Sequence, residues 1–358
     1  MESFHVEQKV KSLLLLVAQQ GASDIHFVVG RYPTLRVDGK LQPITKEKIL
    51  TADDTKAISK VFLSEEKGKD LEETGETGFS YNFENKARFR VNVFFQKGFI
   101  SIVMRLVQTR IRPLDELNMP TALYDFTKHS QGLVLVTGPV GHGKSTTMAA
   151  LVDYINHNYE KNIITIEDPI EYIYEQDRCI INQREIGQDA QNFERALRAV
   201  FREDANVVLI GEMRDLETIS TTLTAAETGH LIFATIHTNS SSETIDRIVD
   251  VFPSHQQNQV RSQLANVLLG VISQRLVPKI GGDRIPAVEI MTKNNAIENL
   301  IRENRSYQID GVIETGMKEG MVSLDKSLSD LVKKGLITVD DAFAYAKSKD
   351  YFKMLIKK

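Results

Sequence analysis

The stretch Gly138-Pro139-Val140-Gly141-His142-Gly143-Lys144-Ser145 follows the apolar run Leu133-Val134-Leu135-Val136 and opens a helical pattern from Ser145 to Tyr159. Strand, glycine loop and helix in that order constrain the fold more than any other feature of this chain. The stretch satisfies G-x-x-x-x-G-K-[ST], in which glycines let successive backbone N–H groups curl around an anion. The helix that follows aims the positive end of its dipole at the same point. The pattern also occurs as a glycine turn with a surface lysine; the strand before it and the helix after it argue for a phosphate loop. Residues Gly138, Pro139, Val140, Gly141, His142, Gly143, Lys144, Ser145 and Thr146 are thus candidate ATP-binding positions. Lys144 is suited to the β- and γ-phosphates and Ser145 to Mg2+. His142 is expected to be incidental, at a position that tolerates many side chains.

Further apolar strands follow at Ile163–Ile166, Val207–Ile210 and Leu231–Thr235, with a helix at Phe193–Phe201. Continuous apolar strands with helical crossovers predict an α/β fold with a parallel sheet covered on both faces. Ligands of such sheets sit at the carboxyl ends of the strands. There the chain places Glu167 and Glu171, Glu212, and His237. Glu212 is the candidate base for an attacking water, or a metal ligand through water. Glu167 and Glu171 divide between water polarisation, the metal shell and an arginine pair, and a structural salt bridge is an equal reading for Glu171. His237 is placed to sense a γ-phosphate. His230, just before its strand, reads by itself as a structural histidine. From Pro253 onward the chain reads as mostly helical.

Residues 1–108 read as a separate α+β module, 109–117 as a linker and 118–358 as the second domain. The module starts with a helix over Val6–Gln20 ended by Gly21. Strand-like segments follow, with an Asp38-Gly39 turn, then a helix over Thr51–Phe62 with a cap at Thr51. In Ala87-Arg-Phe-Arg-Val-Asn-Val-Phe-Phe95, period two puts Phe89, Val91, Val93 and Phe95 on one face and Arg88, Arg90 and Asn92 on the other. Arg105 is the sole charge between Phe99 and Leu106. These arginines are either a solvated sheet face or guanidiniums that reach a nucleotide's phosphates.

The chain carries a formal charge of −4 over 358 residues and one cysteine, Cys179. No disulfide framework or cysteine-rich metal site can be built within it, which fits a reducing cytoplasm. Its apolar runs fall short of the ~20 residues needed to span a bilayer, and no secretory pattern is evident. The acidic balance and lack of a long basic run argue against a nucleic-acid translocase.

Together these residues resemble the type IV pilus retraction ATPases, the twitching-motility motors within the type II/IV secretion ATPases. The motifs are Ala22-Ser-Asp-Ile-His26, Arg36-Val-Asp-Gly39, Ala87–Asn92, the acidic box Ile164–Glu171, Asn182–Gly187, Val208–Asp215, Thr224–His230, Thr235–Thr238 and Asp246–Pro253. The resemblance implies a PAS-like N-terminal domain and a RecA-like ATPase domain in a homohexamer, with ATP between the domains and Arg88, Arg90 and Arg105 reaching it. It implies a catalytic base at Glu212 and a coupling box holding His230 and His237. The partner it implies is an inner-membrane platform protein, met at the cytoplasmic face without membrane insertion. An assembly or secretion motor is the alternative, but such enzymes usually carry a four-cysteine zinc insertion and longer N-terminal regions. Two departures stand out: Val140 and His142 occupy positions where Thr and Ser are common, and Ala296-Ile-Glu-Asn-Leu-Ile-Arg-Glu303 carries Glu298 where the family's helix usually has Arg. The second is a charge reversal that bears on partner contact.

Overall fold

Apolar residues at positions 10, 13, 14 and 17 put one stripe on the first helix, α1 (Glu2–Gln19), and all four are buried. In the computed structural model this stripe shares a core with residues of strands β1 (Asp24–Phe27) and β2 (Thr34–Val37), beside which β3 (Lys40–Pro43) is exposed along its length, of helices α2 (Ala52–Phe62) and α3 (Glu65–Thr74), and of strands β4 (Glu76–Phe83), β5 (Ala87–Gln96) and β6 (Phe99–Leu106). The structure describes residues 2–37, 39–83, 87–107 and 109–357, with side chains from residue 6. Asp38 of the expected turn, and position 108 at the expected domain end, lie outside them. The strands form an antiparallel sheet in the order β3-β2-β1-β6-β5-β4. Thr51 caps α2 as expected: its hydroxyl accepts from the Asp54 N–H while the Asp54 carboxylate accepts from the Thr51 N–H.

The chain divides into two units, Met1–Thr109 with Glu171–Ile173, and Arg110–Ile170 with Tyr174–Lys358. The second contains β7 (Gly132–Thr137), α4 (Lys144–Asn158), β8 (Asn162–Glu167), β9 (Ile180–Glu185), α5 (Phe193–Val200), β10 (Val207–Ile210), α6 (Leu216–Glu227), β11 (Leu231–Ile236), α7 (Ser241–Asp250) and α8 (Ser254–Val267). Next come β12 (Leu268–Pro278), β13 (Arg284–Thr292), α9 (Asn295–Arg302), α10 (Ile309–Thr315), α11 (Leu324–Lys333), α12 (Val339–Tyr345) and α13 (Lys349–Lys357). Its seven-stranded sheet runs β13-β12-β7-β11-β10-β8-β9, parallel throughout except for the β12–β13 pair. Every residue of β7, β10 and β11 is buried, the signature of a sheet covered on both faces.

After Pro253 the chain is mostly helical, as expected, but that reading missed the hairpin of β12 and β13. Leu268-Leu-Gly-Val-Ile and Ala287-Val-Glu-Ile-Met are rich in β-branched residues and buried with little alternation, so period two gave no signal. Pro286 fits because β13 is an edge strand. Among the described residues no helix is long and apolar enough to cross a membrane.

Candidate active site

Parallel register sets the carboxyl ends of four strands side by side. Thr137 of β7 pairs with Ile236 of β11, Ala234 of β11 with Ile210 of β10, and Ile210 with Ile166 of β8. The chain leaves those ends through the 138–143 loop, His237, Gly211-Glu212 and Glu167 respectively.

The loop turns through Gly138, Gly141 and Gly143, all at positive φ. Two of these glycines also leave no room for a side chain. A Cβ at Gly138 would sit 2.4 Å from the Gln274 carbonyl oxygen, and one at Gly143 2.8 Å from Gln274 Nε2. Lys144 starts α4 and folds back over the loop, donating to the carbonyls of Gly138 at 2.9 Å and Pro139 at 3.0 Å. Its Nζ also lies 3.0 Å from His237 Nδ1. An ammonium only donates, so in this contact Nδ1 accepts; the same nitrogen lies 3.4 Å from the Gly138 carbonyl oxygen. His237 Nε2 faces Glu212 Oε1 at 3.2 Å, and Arg214 holds the other carboxylate oxygen at 2.7 Å. One chain of polar contacts thus runs Lys144–His237–Glu212–Arg214. Burial pushes the Glu212 carboxyl up, but the Arg214 hydrogen bond and the neighbouring His237 outweigh it, and the group lies below the usual carboxylate range.

Glu167, 8% exposed, accepts from the Thr165 hydroxyl at 2.7 Å. Val140 is 81% exposed at the tip of the loop. Ser145 and Thr146 are half-buried in the first turn of α4, where helical N–H groups point outward. Glu171 groups with the first unit, together with Tyr172 and Ile173. His230 is not brought to this edge. It precedes β11, which carries the chain about 20 Å at 3.3 Å per residue before His237 is reached. Its Nδ1 donates to the Ala225 carbonyl at 3.0 Å and its ring meets Phe201 edge-on.

His142, expected to be incidental, is tied down. Its Nδ1 accepts from the Leu276 N–H at 2.9 Å and its carbonyl accepts from Gln274 Nε2 at 2.8 Å. Burial, with Arg275, Arg284 and Lys144 nearby, draws the imidazole below its ordinary range, which suits an accepting nitrogen. Sequence reasoning missed two residues here. Arg214 has no periodic signal and is marked only by its place two positions after Glu212. Gln274 was hidden by the helical reading of β12.

In the first unit the expected arginine face forms, with Arg88 half-buried and Arg90 and Arg105 exposed opposite buried Phe89, Val91 and Val93; Phe95, at the strand's end, is 44% exposed. Register lines up Arg36, Asp24, Arg105 and Arg90 across four strands. Arg105 Nε donates to Asp24 Oδ1 at 2.9 Å, and Ser23 Oγ donates to Oδ2 at 2.7 Å. Burial raises the Asp24 carboxyl, but those two bonds carry it below its usual range. Among the described residues Arg90 makes no ion pair. It lines a cavity of about 670 Å3 with Arg105, Asn92, Asp24, Asp70 and Glu76.

A family model described as "Type II/IV secretion system protein" matches residues 2–331. The chain is 46% identical over 343 residues to the type IV pilus retractation ATPase PilT of Pseudomonas aeruginosa, covering 96% of this chain and 99% of that one. It is 42% identical over 311 residues to a twitching motility protein of Neisseria gonorrhoeae, covering 87% and 83% of the two. Among solved structures, that of the pilus retraction motor PilT with bound ADP matches with a TM-score of 0.90 at 42% identity, covering 96% of this chain and 99% of that one. The α/β fold is therefore that of an ATPase of this kind, and the chain belongs to the type II/IV secretion system protein family.

Proposed function

We propose that this chain is an ATP-hydrolysing motor that drives retraction of a type IV pilus. The observation that carries the reading is the contact chain from Lys144 through His237 to Glu212, set at the carboxyl edge of the sheet beside the phosphate loop. It connects the group that meets the terminal phosphates to the carboxylate that activates water. The close likeness to an ADP-bound retraction motor supports the same reading.

In this mechanism residues 138–146 bind the triphosphate, with loop N–H groups and Lys144 on its oxygens. A phosphate that takes the Lys144 ammonium releases His237 Nδ1, and the imidazole carries that change to Glu212 through Nε2. Glu212 then orients and deprotonates the attacking water, with Glu167 as the second candidate. Ser145 would hold Mg2+, with Glu212 acting through water. The hydroxyl of Ser145 and the carboxylate of Glu212 are hard oxygen donors of the kind that suits that ion. When bound, the ion offsets charge on the β- and γ-oxygens. Arg88, Arg90 and Arg105 supply further positive charge to the transferring group, and Arg105 keeps Asp24 as its anchor.

The antiparallel sheet of the first unit supports a PAS-like domain. We place the chain in a homohexamer at the cytoplasmic face of the membrane, acting on a platform protein of the pilus base. The test is phosphate release by the purified chain: ATP turnover that Lys144→Ala abolishes is expected, and equal turnover by the variant would contradict the site.

A further inference from the structure

An amide buried in a protein core must use both of its ends, because a donor or acceptor left unpaired there loses its hydrogen bonds to water with nothing in return. Gln274 on β12 is 3% exposed and uses both ends on the phosphate loop and its helix. Its Nε2 donates to the His142 carbonyl at 2.8 Å, and its Oε1 accepts from the hydroxyl of Thr147, one turn into α4, at 2.7 Å. The same residue lies against both glycines that define the loop motif: its backbone carbonyl beneath Gly138 and its side-chain amide beneath Gly143. The next but one residue on the strand, Leu276, donates its N–H to His142.

We infer that Gln274 is a positioning residue for nucleotide binding: it locks the 138–143 loop to α4 in the anion-cradling conformation before nucleotide arrives. The inference rests on the proposed ATPase reading. Its physical content is preorganisation. The loop is glycine-rich and can adopt other conformations at little steric cost. A brace that holds one of them removes the penalty that a partly populated binding conformation places on affinity. If loss of the brace leaves the cradle populated about a tenth of the time, apparent affinity falls about tenfold. Bound nucleotide selects the cradle again, so the rate of the bound complex is largely kept.

The experiment is ATP kinetics and binding of a fluorescent ADP analogue with the full chain carrying Gln274→Met, Thr147→Val, Thr147→Ser or the Met/Val pair. The expected result is a KM for ATP and a Kd for the ADP analogue raised about tenfold in Gln274→Met, with kcat within about threefold. Thr147→Val shifts KM in the same direction, Thr147→Ser recovers most of that loss, and the pair is no worse than Gln274→Met alone because both act through one contact. An unchanged KM, a loss confined to kcat, or additive losses with Thr147→Ser as impaired as Thr147→Val would each overturn the inference. A wild-type chain that fails to hydrolyse ATP would instead sink the functional reading.

Discussion

Lys144 spends its three donors on two loop carbonyls and one imidazole nitrogen, and Glu212 divides its two oxygens between that imidazole and Arg214. Lys144→Ala would remove the charge proposed to meet the transferring phosphate and should lower turnover by at least about a hundredfold in a phosphate-release assay. Glu212→Gln keeps shape but would lose the proposed base. Turnover should fall about a hundredfold or more while nucleotide still binds, and normal turnover would move the base to Glu167. The depressed Glu212 carboxyl also predicts a pH dependence of stability. A carboxylate held below its unfolded value stabilises the fold above that value, and the contribution disappears as pH falls through the lowered one. Melting temperatures should therefore separate wild type from Glu212→Gln at neutral pH and converge in acid below the usual carboxylate range. Lys144, Glu212 and His237 were legible because strand ends are marked by the apolar runs before them. Arg214 was not, because a lone charge in a loop carries no period.

At the scale of elements, the loop and the start of α4 follow from the G-x-x-x-x-G-K-[ST] spacing, and the four central strands from their continuous apolar runs. The β12–β13 hairpin was missed because polar residues break its apolar runs, Ser273, Gln274 and Arg275 in β12 and Glu289 in β13. That omission hid the strand that bears on the loop. Gly138→Ala tests the contact. The added methyl would lie 2.4 Å from the Gln274 carbonyl at φ +143, so the loop or β12 must shift. Overpacking of this size costs roughly 1–3 kcal/mol, and a drop of several degrees in Tm together with weaker nucleotide binding is expected. Helix α9 gives a contrasting case. Glu298 lies 3.3 Å from Lys293 and 3.1 Å from Arg302, so the charge that departs from the family pattern is balanced within its own neighbourhood. Surface pairs of this kind are worth about 0–1 kcal/mol, so Glu298→Arg should move Tm by no more than a few degrees and leave ATP turnover unchanged.

At the scale of the whole molecule, one unit carries the phosphate loop and the other a row of arginines. The alternating pattern of β5 made the arginine face legible, whereas the anchoring of Arg105 by Asp24 joins residues far apart in sequence and left no local trace. Arg90→Ala is the cleaner probe of the row, since Arg105 also serves the fold. Turnover reduced about tenfold or more with Tm unchanged is expected if Arg90 acts on the transferring phosphate, and unchanged turnover returns it to a solvated face. The central claim is that hydrolysis at the 138–146 loop powers pilus retraction. Its most direct test is live imaging of labelled pili in cells whose only copy of this chain carries Lys144→Ala. Abundant surface pili that extend and never retract are the predicted result, and retraction at the wild-type rate would contradict the account.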